Sequence, residues 1–263
     1  ADRVVRVWCA ADGRPVAALA GHADAINAVA WAPDGDLLAS AGGDGAVRLW
    51  SLGDEPPLEL RPDGRPKVYG LSWRPDGQTL AAGYADGVVR LWQLGDGVSV
   101  HALPGHSGYV YGVAWSPDGQ TLASCSADRT VRLWRLAQGG LVAELKKHKS
   151  WAAQLAWSPV GKVAGYGERG EEPLSLWRVS DGSLCTTLSG HHNYIYGVTW
   201  SPEGQALASC GADSSVRLWR DDGTPIATLT GHADWVQSVA WSPDGRRLAS
   251  ASLDGTVLLW TTH

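Results

Sequence analysis

Methionine and phenylalanine are missing from the 263 residues, which leaves Trp, present fifteen times, as the dominant large aromatic. Cysteine is scarce. Cys9, Cys125, Cys185 and Cys210 form no CxxC pair, so neither a cysteine metal knuckle nor a redox pair is indicated, and a reducing cytoplasmic compartment is expected. Long runs of one charge are also lacking, and the net charge is -5. Without a concentrated basic surface, binding to phosphate backbones is excluded as an expectation, so no nucleic acid partner is foreseen. No apolar stretch resembles a signal peptide or is long enough to span a bilayer, and no membrane partner is foreseen either. Nor does any segment sustain a 3.6-residue apolar period, which excludes helix as the main element. What remains is a chain with 44% apolar residues, long enough to bury a large core in one all-β domain or two smaller ones.

The tryptophans are not scattered. One series is Trp8, Trp50, Trp92, Trp134, Trp177, Trp219 and Trp260, in steps of 41 to 43 residues; a second is Trp31, Trp73, Trp115, Trp157, Trp200 and Trp241. Only Trp151 and Trp235 stand outside both. Each period holds β-rich runs such as YGVAW, TLASCS and TVRLW, separated by turns such as SPDG, in which Pro fixes φ and Gly supplies a positive φ. Four short strands per period is the expected count.

The recurring phrase GH...VAWSPDG...LAS.S.D..VRLW resembles the WD40-repeat family, whose repeats of this length each supply one four-stranded propeller blade. The resemblance covers nearly the whole chain and is strongest at residues 104 to 134 and 189 to 260. It departs from the family at one column: the Asp of the Trp-Asp pair is replaced by Cys9, Ser51, Gln93, Arg135, Arg178, Arg220 and Thr261. The resemblance implies a single all-β propeller domain over residues 1–263, with six complete blades buildable from this chain. The Ala, Gly and Arg content is similar to that of bacterial WD-repeat regions in signalling or defence proteins.

Four repeats carry a His, a Ser eighteen residues on, an Asp twenty-two on, and a Trp six beyond that. The sets are His22, Ser40, Asp44, Trp50; His106, Ser124, Asp128, Trp134; His191, Ser209, Asp213, Trp219; and His232, Ser250, Asp254, Trp260. The family resemblance implies that these form the structural tetrad, in which buried imidazole, hydroxyl and indole groups satisfy one another. A hydrolase triad would need one exposed nucleophile beside an oxyanion hole, whereas this set recurs and ends in Trp, so no enzyme is expected. No metal or other cofactor is expected, because each His belongs to a different blade. Cys125 and Cys210, next to the tetrad Ser, read as buried inert thiols, and Arg6, Arg48, Arg90, Arg132 and Arg217 as packed structural arginines.

Two repeats break the pattern. The second keeps Asp86 and Trp92 but has Gly64 for His and Ala82 for Ser, so its tetrad is absent. The fourth keeps His148 but places Tyr166 at the Ser position, with an inserted GERGEEP that brings Glu171 six residues before Trp177. These two blades are expected to be the least rigid.

In the family, residues just before and within the innermost strand form the upper rim of the channel. Counting from the His column, the third residue reads Ala25, Lys67, Tyr109, Trp151, Tyr194, Trp235, and the fifth Asn27, Tyr69, Tyr111, Ala153, Tyr196, Gln237. These columns gather five of the seven tyrosines and both off-series tryptophans. Tyr and Trp combine rigid apolar area with a polar tip, as binding hot spots require. Packing on a neighbouring blade is the alternative role, above all in the third column. The fourth repeat adds Lys146, Lys147, His148 and Lys149 before its inner strand and Glu168, Arg169, Glu171 and Glu172 in its insertion, either a mutually neutral loop pair or a polar edge of the same rim.

The expected function is non-enzymatic recognition of a protein or peptide at the aromatic rim, as sensor or regulator of a covalently linked effector domain in a longer chain. Small-molecule or glycan binding at the channel mouth is the alternative. Residues 1–10 read as a strand of an incomplete blade, since Asp2 and Trp8 keep the spacing of Asp128 and Trp134. Residues 15 to 20 could then complete the last blade and close six, or belong to a further blade, giving the seven expected of the parent protein.

Overall fold

The computed structural model describes residues 2–9, 12–53, 55–95, 97–138, 140–146, 152–167 and 173–261. Their alternating Val, Leu and Trp residues make strands; the single helical element among the described residues is a 3-10 turn at Leu136–Gln138. The chain divides into two compact units, residues 1–115 and 116–263.

In the first unit, β1 (Val4–Trp8) and β2 (Pro15–Ala20) form an antiparallel pair, from Val4 opposite Ala20 to Trp8 opposite Pro15. Residues 15–20 therefore lie beside residues 4–8, as the outer strand of the blade to which β1 belongs. β3 (Ile26–Trp31), β4 (Leu38–Gly42), β5 (Val47–Trp50) and β6 (Leu58–Leu60) follow as a four-stranded sheet in chain order. A second four-stranded sheet holds β7 (Val68–Trp73), β8 (Thr79–Tyr84), β9 (Val89–Gln93) and β10 (Ser99–Leu103), and β11 (Val110–Trp115) packs on β7 and β8.

In the second unit, β12 (Leu122–Ser126), β13 (Thr130–Arg135) and β14 (Gly140–Lys146) run side by side. Two four-stranded sheets come next: β15 (Ala152–Trp157), β16 (Lys162–Gly167), β17 (Leu174–Arg178) and β18 (Leu184–Leu188); then β19 (Ile195–Trp200), β20 (Ala206–Gly211), β21 (Ser215–Arg220) and β22 (Pro225–Thr230). β23 (Val236–Trp241), β24 (Arg247–Ser252) and β25 (Val257–Thr261) form a three-stranded sheet.

The second strand of each sheet is rich in Ala, Ser and Gly, and β4, β8 and β12 are buried along their whole length. Small side chains let adjacent sheets approach closely, and the large residues then fill the space between them. In the first unit, Val47, Leu49 and Leu60 pack with Val68, Trp73, Leu80 and Trp92; in the second, Leu174, Leu176 and Leu188 pack with Ile195, Trp200, Leu207 and Trp219. Each such side chain contributes about 1.5–3 kcal/mol when fully buried.

Two turns punctuate every blade. In the Pro-containing turns a carbonyl accepts from the Gly amide three residues on, as Ala32 does from Gly35 at 2.9 Å and Ser116 from Gly119 at 2.8 Å. The turn after the second strand needs a left-handed residue directly after the Asp column. Gly45, Gly87 and Gly255 supply it, but Arg129 (φ 70°) and Ser214 (φ 60°) occupy the same place. A Cβ in that conformation costs about 1–2 kcal/mol, against about 0.5–1 kcal/mol of extra chain entropy for Gly. Ser214→Gly should accordingly stabilise the chain by up to about 1 kcal/mol. Equilibrium urea unfolding checks this, and a midpoint lower than wild type would contradict it.

Candidate functional site

The repeated polar set closes into hydrogen-bonded chains. In the first unit the Trp50 indole donates to Ser40 Oγ at 2.8 Å, Ser40 Oγ lies 2.7 Å from His22 Nε2, and His22 Nδ1 lies 3.1 Å from both Asp44 carboxylate oxygens. An indole N–H can only donate, so the Ser oxygen accepts it and turns its own proton to Nε2. With that assignment the neutral imidazole carries its proton on Nδ1, facing the carboxylate; the Arg48 guanidinium lies 2.9 Å from the same nitrogen. The second unit repeats the geometry. Trp219 reaches Ser209 at 2.9 Å, Ser209 meets His191 at 2.8 Å and His191 meets Asp213 at 2.9 Å. Trp260, Ser250, His232 and Asp254 do the same at 2.8, 2.8 and 2.9 Å. Trp134 donates to Ser124 at 2.8 Å, and His106 is buried in the first unit.

The Asp of each chain also receives a backbone N–H, from Ala23, His192 or Ala233, which pins the loop after the His. Burial alone would raise the Asp44 pKa, but the Ala23 amide, Arg48 and His22 outweigh it and hold the carboxyl far below its ordinary range. Asp213 is held low in the same way, against burial, by His191 and Ser215, and Asp254 by Thr256 first. Burial pushes His22 below its ordinary value, although Asp44 pulls the other way. Ser40, Ser124 and Ser209 are wholly buried, so this Ser-His-Asp geometry serves as internal bracing and presents no hydroxyl to a substrate.

The blade without His and Ser is braced differently. Trp92 donates to the hydroxyl of Tyr84, two residues beyond Ala82 on the same strand face, at 3.1 Å. Tyr84 is fully buried, and its hydroxyl is pushed up to about 12, chiefly by burial. The Arg90 guanidinium stacks 4.6 Å from the Tyr84 ring centroid and makes two hydrogen bonds to Asp86, at 3.0 and 2.7 Å. Sequence spacing missed this substitute because it looked for a hydroxyl only at position 82. The signal was an aromatic hydroxyl at the next position on the same face.

Arg48, Arg90 and Arg132 of the VRLW strands are packed and ion-paired, whereas the Arg6 side chain, expected to pack likewise, is half exposed. Arg48 is buried between Asp44 at 2.9 Å and Glu59 at 2.6 Å, and Arg132 pairs with Glu144 at 3.0 Å. Cys125 and Cys210 are buried, and burial pushes the Cys210 thiol up to about 12.

The candidate binding residues separate into one group per unit. In the first, Tyr69, Tyr109 and Tyr111 form a mutual triad, with ring centroids 6.0 Å apart for Tyr69 and Tyr109, 5.3 Å for Tyr69 and Tyr111, and 6.3 Å for Tyr109 and Tyr111. Lys67 is exposed, with its ammonium 4.0 Å from Asp24. The Asn27 amide is engaged, donating to the Val68 carbonyl at 2.8 Å. In the second unit, Tyr194 lies 6.5 Å from Tyr196, and Tyr196 lies 5.8 Å from Trp235; Gln237 is exposed nearby in sequence. Trp151, Lys147, His148, Lys149, Glu168, Arg169, Glu171 and Glu172 lie outside the described residues, as do the side chains of Lys146, Ala153 and Tyr166.

Backbone geometry explains why these columns face outward. The third-column carbonyl accepts an amide from the turn after the second strand: Ala25 from Gly43, Lys67 from Ala85, Tyr194 from Ala212 and Trp235 from Leu253, at 2.8 to 3.0 Å. The fifth column is a β-bulge. Ile26 and Ala28 oppose successive residues Gly42 and Ala41, so Asn27 has no partner; Tyr69, Tyr196 and Gln237 are skipped in the same way. An extra residue in one strand breaks the alternation of faces and re-aims a side chain, which is how bulges are used beside binding sites.

A groove of about 410 Å³ in the second unit is lined by Val160, Glu203, Gly204, Gln205, Arg220 and Asp221. None of the aromatic candidates lines it, and Lys162 occupies Asp221 through bonds of 2.8 and 2.9 Å. Among the described residues no group of three or more His, Cys, Asp or Glu is placed to hold a metal ion.

Repeated antiparallel blades with a buried Trp-Ser-His-Asp brace define an all-β propeller. The WD domain, G-beta repeat model matches residues 13–51, 97–135, 182–220 and 223–261, more than half of the chain, and the chain belongs to the WD40 family. The model for the anaphase-promoting complex subunit 4 WD40 domain matches residues 58–111. Among solved structures, a chain in "Crystal Structure of Mitotic Checkpoint Complex" is similar at a TM-score of 0.89 and 26% identity, over 99% of this chain and 82% of that one. A search of curated proteins finds no match. The fold is a WD40 propeller with six blades, and the family is generally one of non-enzymatic interaction scaffolds.

Two outcomes follow from the bracing. Tyr84→Phe keeps the ring but leaves the Trp92 indole N–H buried and unpaired, and should cost about 1–3 kcal/mol in urea unfolding; an unchanged midpoint would remove Tyr84 from the network. Acid should destabilise the chain in two stages. The lowered pKa of His22 means that the unfolded chain takes up protons first, so stability falls as pH drops below about 6.5; the lowered carboxyls of Asp44, Asp213 and Asp254 add a second fall below about 4. Unfolding midpoints measured from pH 8 to 3 check both limbs, and Asp44→Asn should flatten the lower one.

Proposed function

We propose that this chain is a non-enzymatic recognition module that binds a protein or peptide segment through aromatic side chains at the rim columns. The observation that carries the reading is the repeated bulge: it occurs where Tyr69 and Tyr196 stand, and it turns large amphipathic residues out of the sheet at the start of the inner strand. Tyr109, Tyr194 and Trp235 beside them are exposed although they belong to the residue types that dominate binding hot spots. The backbones of Tyr194 and Trp235 are tied down by the carbonyl latches, so binding there costs little ordering entropy. The similarity to a chain of the mitotic checkpoint complex, a multiprotein assembly, supports a protein partner over a small ligand. As part of the same proposal, the module works in the cytoplasm, regulating an effector domain of a longer signalling or defence protein.

Affinity capture with wild type, a Tyr69→Ala, Tyr109→Ala pair and a Tyr196→Ala, Trp235→Ala pair, followed by titration of the captured partner, tests this reading. One or both pairs should weaken binding at least about tenfold, equivalent to about 1.4 kcal/mol, without loss of the folded circular dichroism spectrum. Full binding by both folded variants would sink the proposal.

A further inference from the structure

The arginines of the third strands occupy one column, but their charges are answered differently from blade to blade. Arg48 opposes Glu59 on the outer strand and Arg132 opposes Glu144, and both pairs close, at 2.6 and 3.0 Å. Arg90 opposes Ala102, yet it makes two bonds to Asp86 and lies over the Tyr84 ring. Arg217, in the middle of β21, has Thr228 of β22 opposite it. Among the described residues Arg217 meets no carboxylate, and its Nε is buried without a hydrogen-bond partner. Arg132 also leaves Nε unpaired, but its Nη2 is spent on Glu144.

The residue two beyond the Asp explains why Arg217 is released. In the Arg48 blade it is Ala46, and Asp44 Oδ2 accepts Arg48 Nη1 at 2.9 Å. In the Arg217 blade it is Ser215, whose hydroxyl donates to Asp213 Oδ1 at 2.7 Å, while His191 Nδ1 and the His192 amide reach Oδ2 at 2.9 and 3.2 Å. Asp213 is thus fully engaged without an arginine. Thr130 and Thr256 cap Asp128 and Asp254 in the same way, at 2.7 and 2.6 Å. In those two blades the column holds either Arg132, answered by Glu144, or Leu258, which carries no charge to answer. Arg217 keeps the charge and has neither acid. Its guanidinium rests on the loop instead: Nη1 lies 2.7 Å from where a Cβ on Gly190 would stand, whereas the nearest Arg48 atom is 3.5 Å from that point at Gly21. A partly buried cation with no counter-ion is costly, and a carboxylate brought from outside recovers that cost.

We propose that Arg217 and Thr228 form the receiving half of an ion pair whose carboxylate comes from a glutamate of an acidic protein segment bound across β22. The molecule itself supplies the template for glutamate, since Glu59 and Glu144 answer the same arginine column from the outer-strand position that Thr228 occupies. The guanidinium fork presents two parallel N–H donors to a carboxylate. Thr228, directly opposite and therefore on the same face, adds a hydroxyl donor. Among the described residues β22 is the end strand of its sheet, and Thr228 is exposed, so the site opens to solvent. It is separate from the aromatic rim, and neither reading depends on the other.

The probe is an acetylated, amidated Gly-Glu-Glu-Glu-Gly peptide titrated into the full chain, with the Arg217 Nε–H resonance followed by NMR. The peptide should shift that resonance, and its glutamine counterpart should not. Arg217→Gln, checked for folding by circular dichroism, should weaken binding at least about fivefold, whereas Arg220→Gln on the same strand should leave it within about twofold. Thr228→Glu supplies the carboxylate in cis, so it should raise the melting temperature and abolish peptide binding. Equal binding by wild type and folded Arg217→Gln would overturn the proposal, as would an equal loss in Arg220→Gln, which means generic attraction to basic groups. A Thr228→Glu chain that melts no higher and still binds the peptide would overturn it independently of the other variants. Tighter binding of the matching phosphoserine peptide, by about tenfold or more, would overturn the assignment to a carboxylate.

Discussion

The indole N–H of the strand-ending Trp is the group around which each blade is organised. It is buried, it has one proton to give, and it accepts nothing in return, so a neighbouring strand must present an oxygen at the right height. In blades with Ser40, Ser124, Ser209 or Ser250, a hydroxyl on the second strand does so. Where the His–Ser–Asp links are described, everything beyond the hydroxyl follows from making that oxygen a good acceptor. Its own proton is drawn off by a neutral His, the His is oriented by an Asp, and the Asp is held anionic by a loop amide. A demand made by one core atom thereby reaches the surface loop that leads into the innermost strand.

That reach connects stability to recognition. The loop fixed by the Asp runs directly into the third and fifth columns, where a carbonyl latch and a bulge set the backbone. The aromatic residues at those positions rest on a scaffold whose bonds are satisfied before any partner arrives. Tyr69, Tyr109 and Tyr111 pack on one another in one unit, and Tyr196 packs between Tyr194 and Trp235 in the other. Such surfaces are preorganised, and their composition is free to vary because the latch uses backbone atoms alone.

What the sequence disclosed and what it concealed divide along the same line. The spacing of His22, Ser40, Asp44 and Trp50 was legible because a hydrogen-bonded chain fixes both residue type and interval. The strands were legible because Val, Leu and Trp alternate between turns with Pro and Gly. Tyr84 was hidden: the oxygen it supplies comes from another residue type at another position, and spacing cannot register a function that has moved along the strand. The bulges at Asn27, Tyr69, Tyr196 and Gln237 were hidden too, since a bulge is a fact about how two strands align and leaves no mark in either alone. The pairing of β2 with β1 likewise became evident only in the register.

The Tyr84 brace also bears on how repeats diverge after duplication. A blade that depended on the Ser hydroxyl alone could not lose it without stranding an indole, and a chain close to its stability threshold would not survive the intermediate. Because a hydroxyl two residues along serves the same proton, the blade with Ala82 in place of Ser keeps its indole paired. The loop around Gly64 then has no His to hold in place and is free of that demand on its length and chemistry. A propeller built this way can alter its surface one blade at a time while its core remains continuously folded.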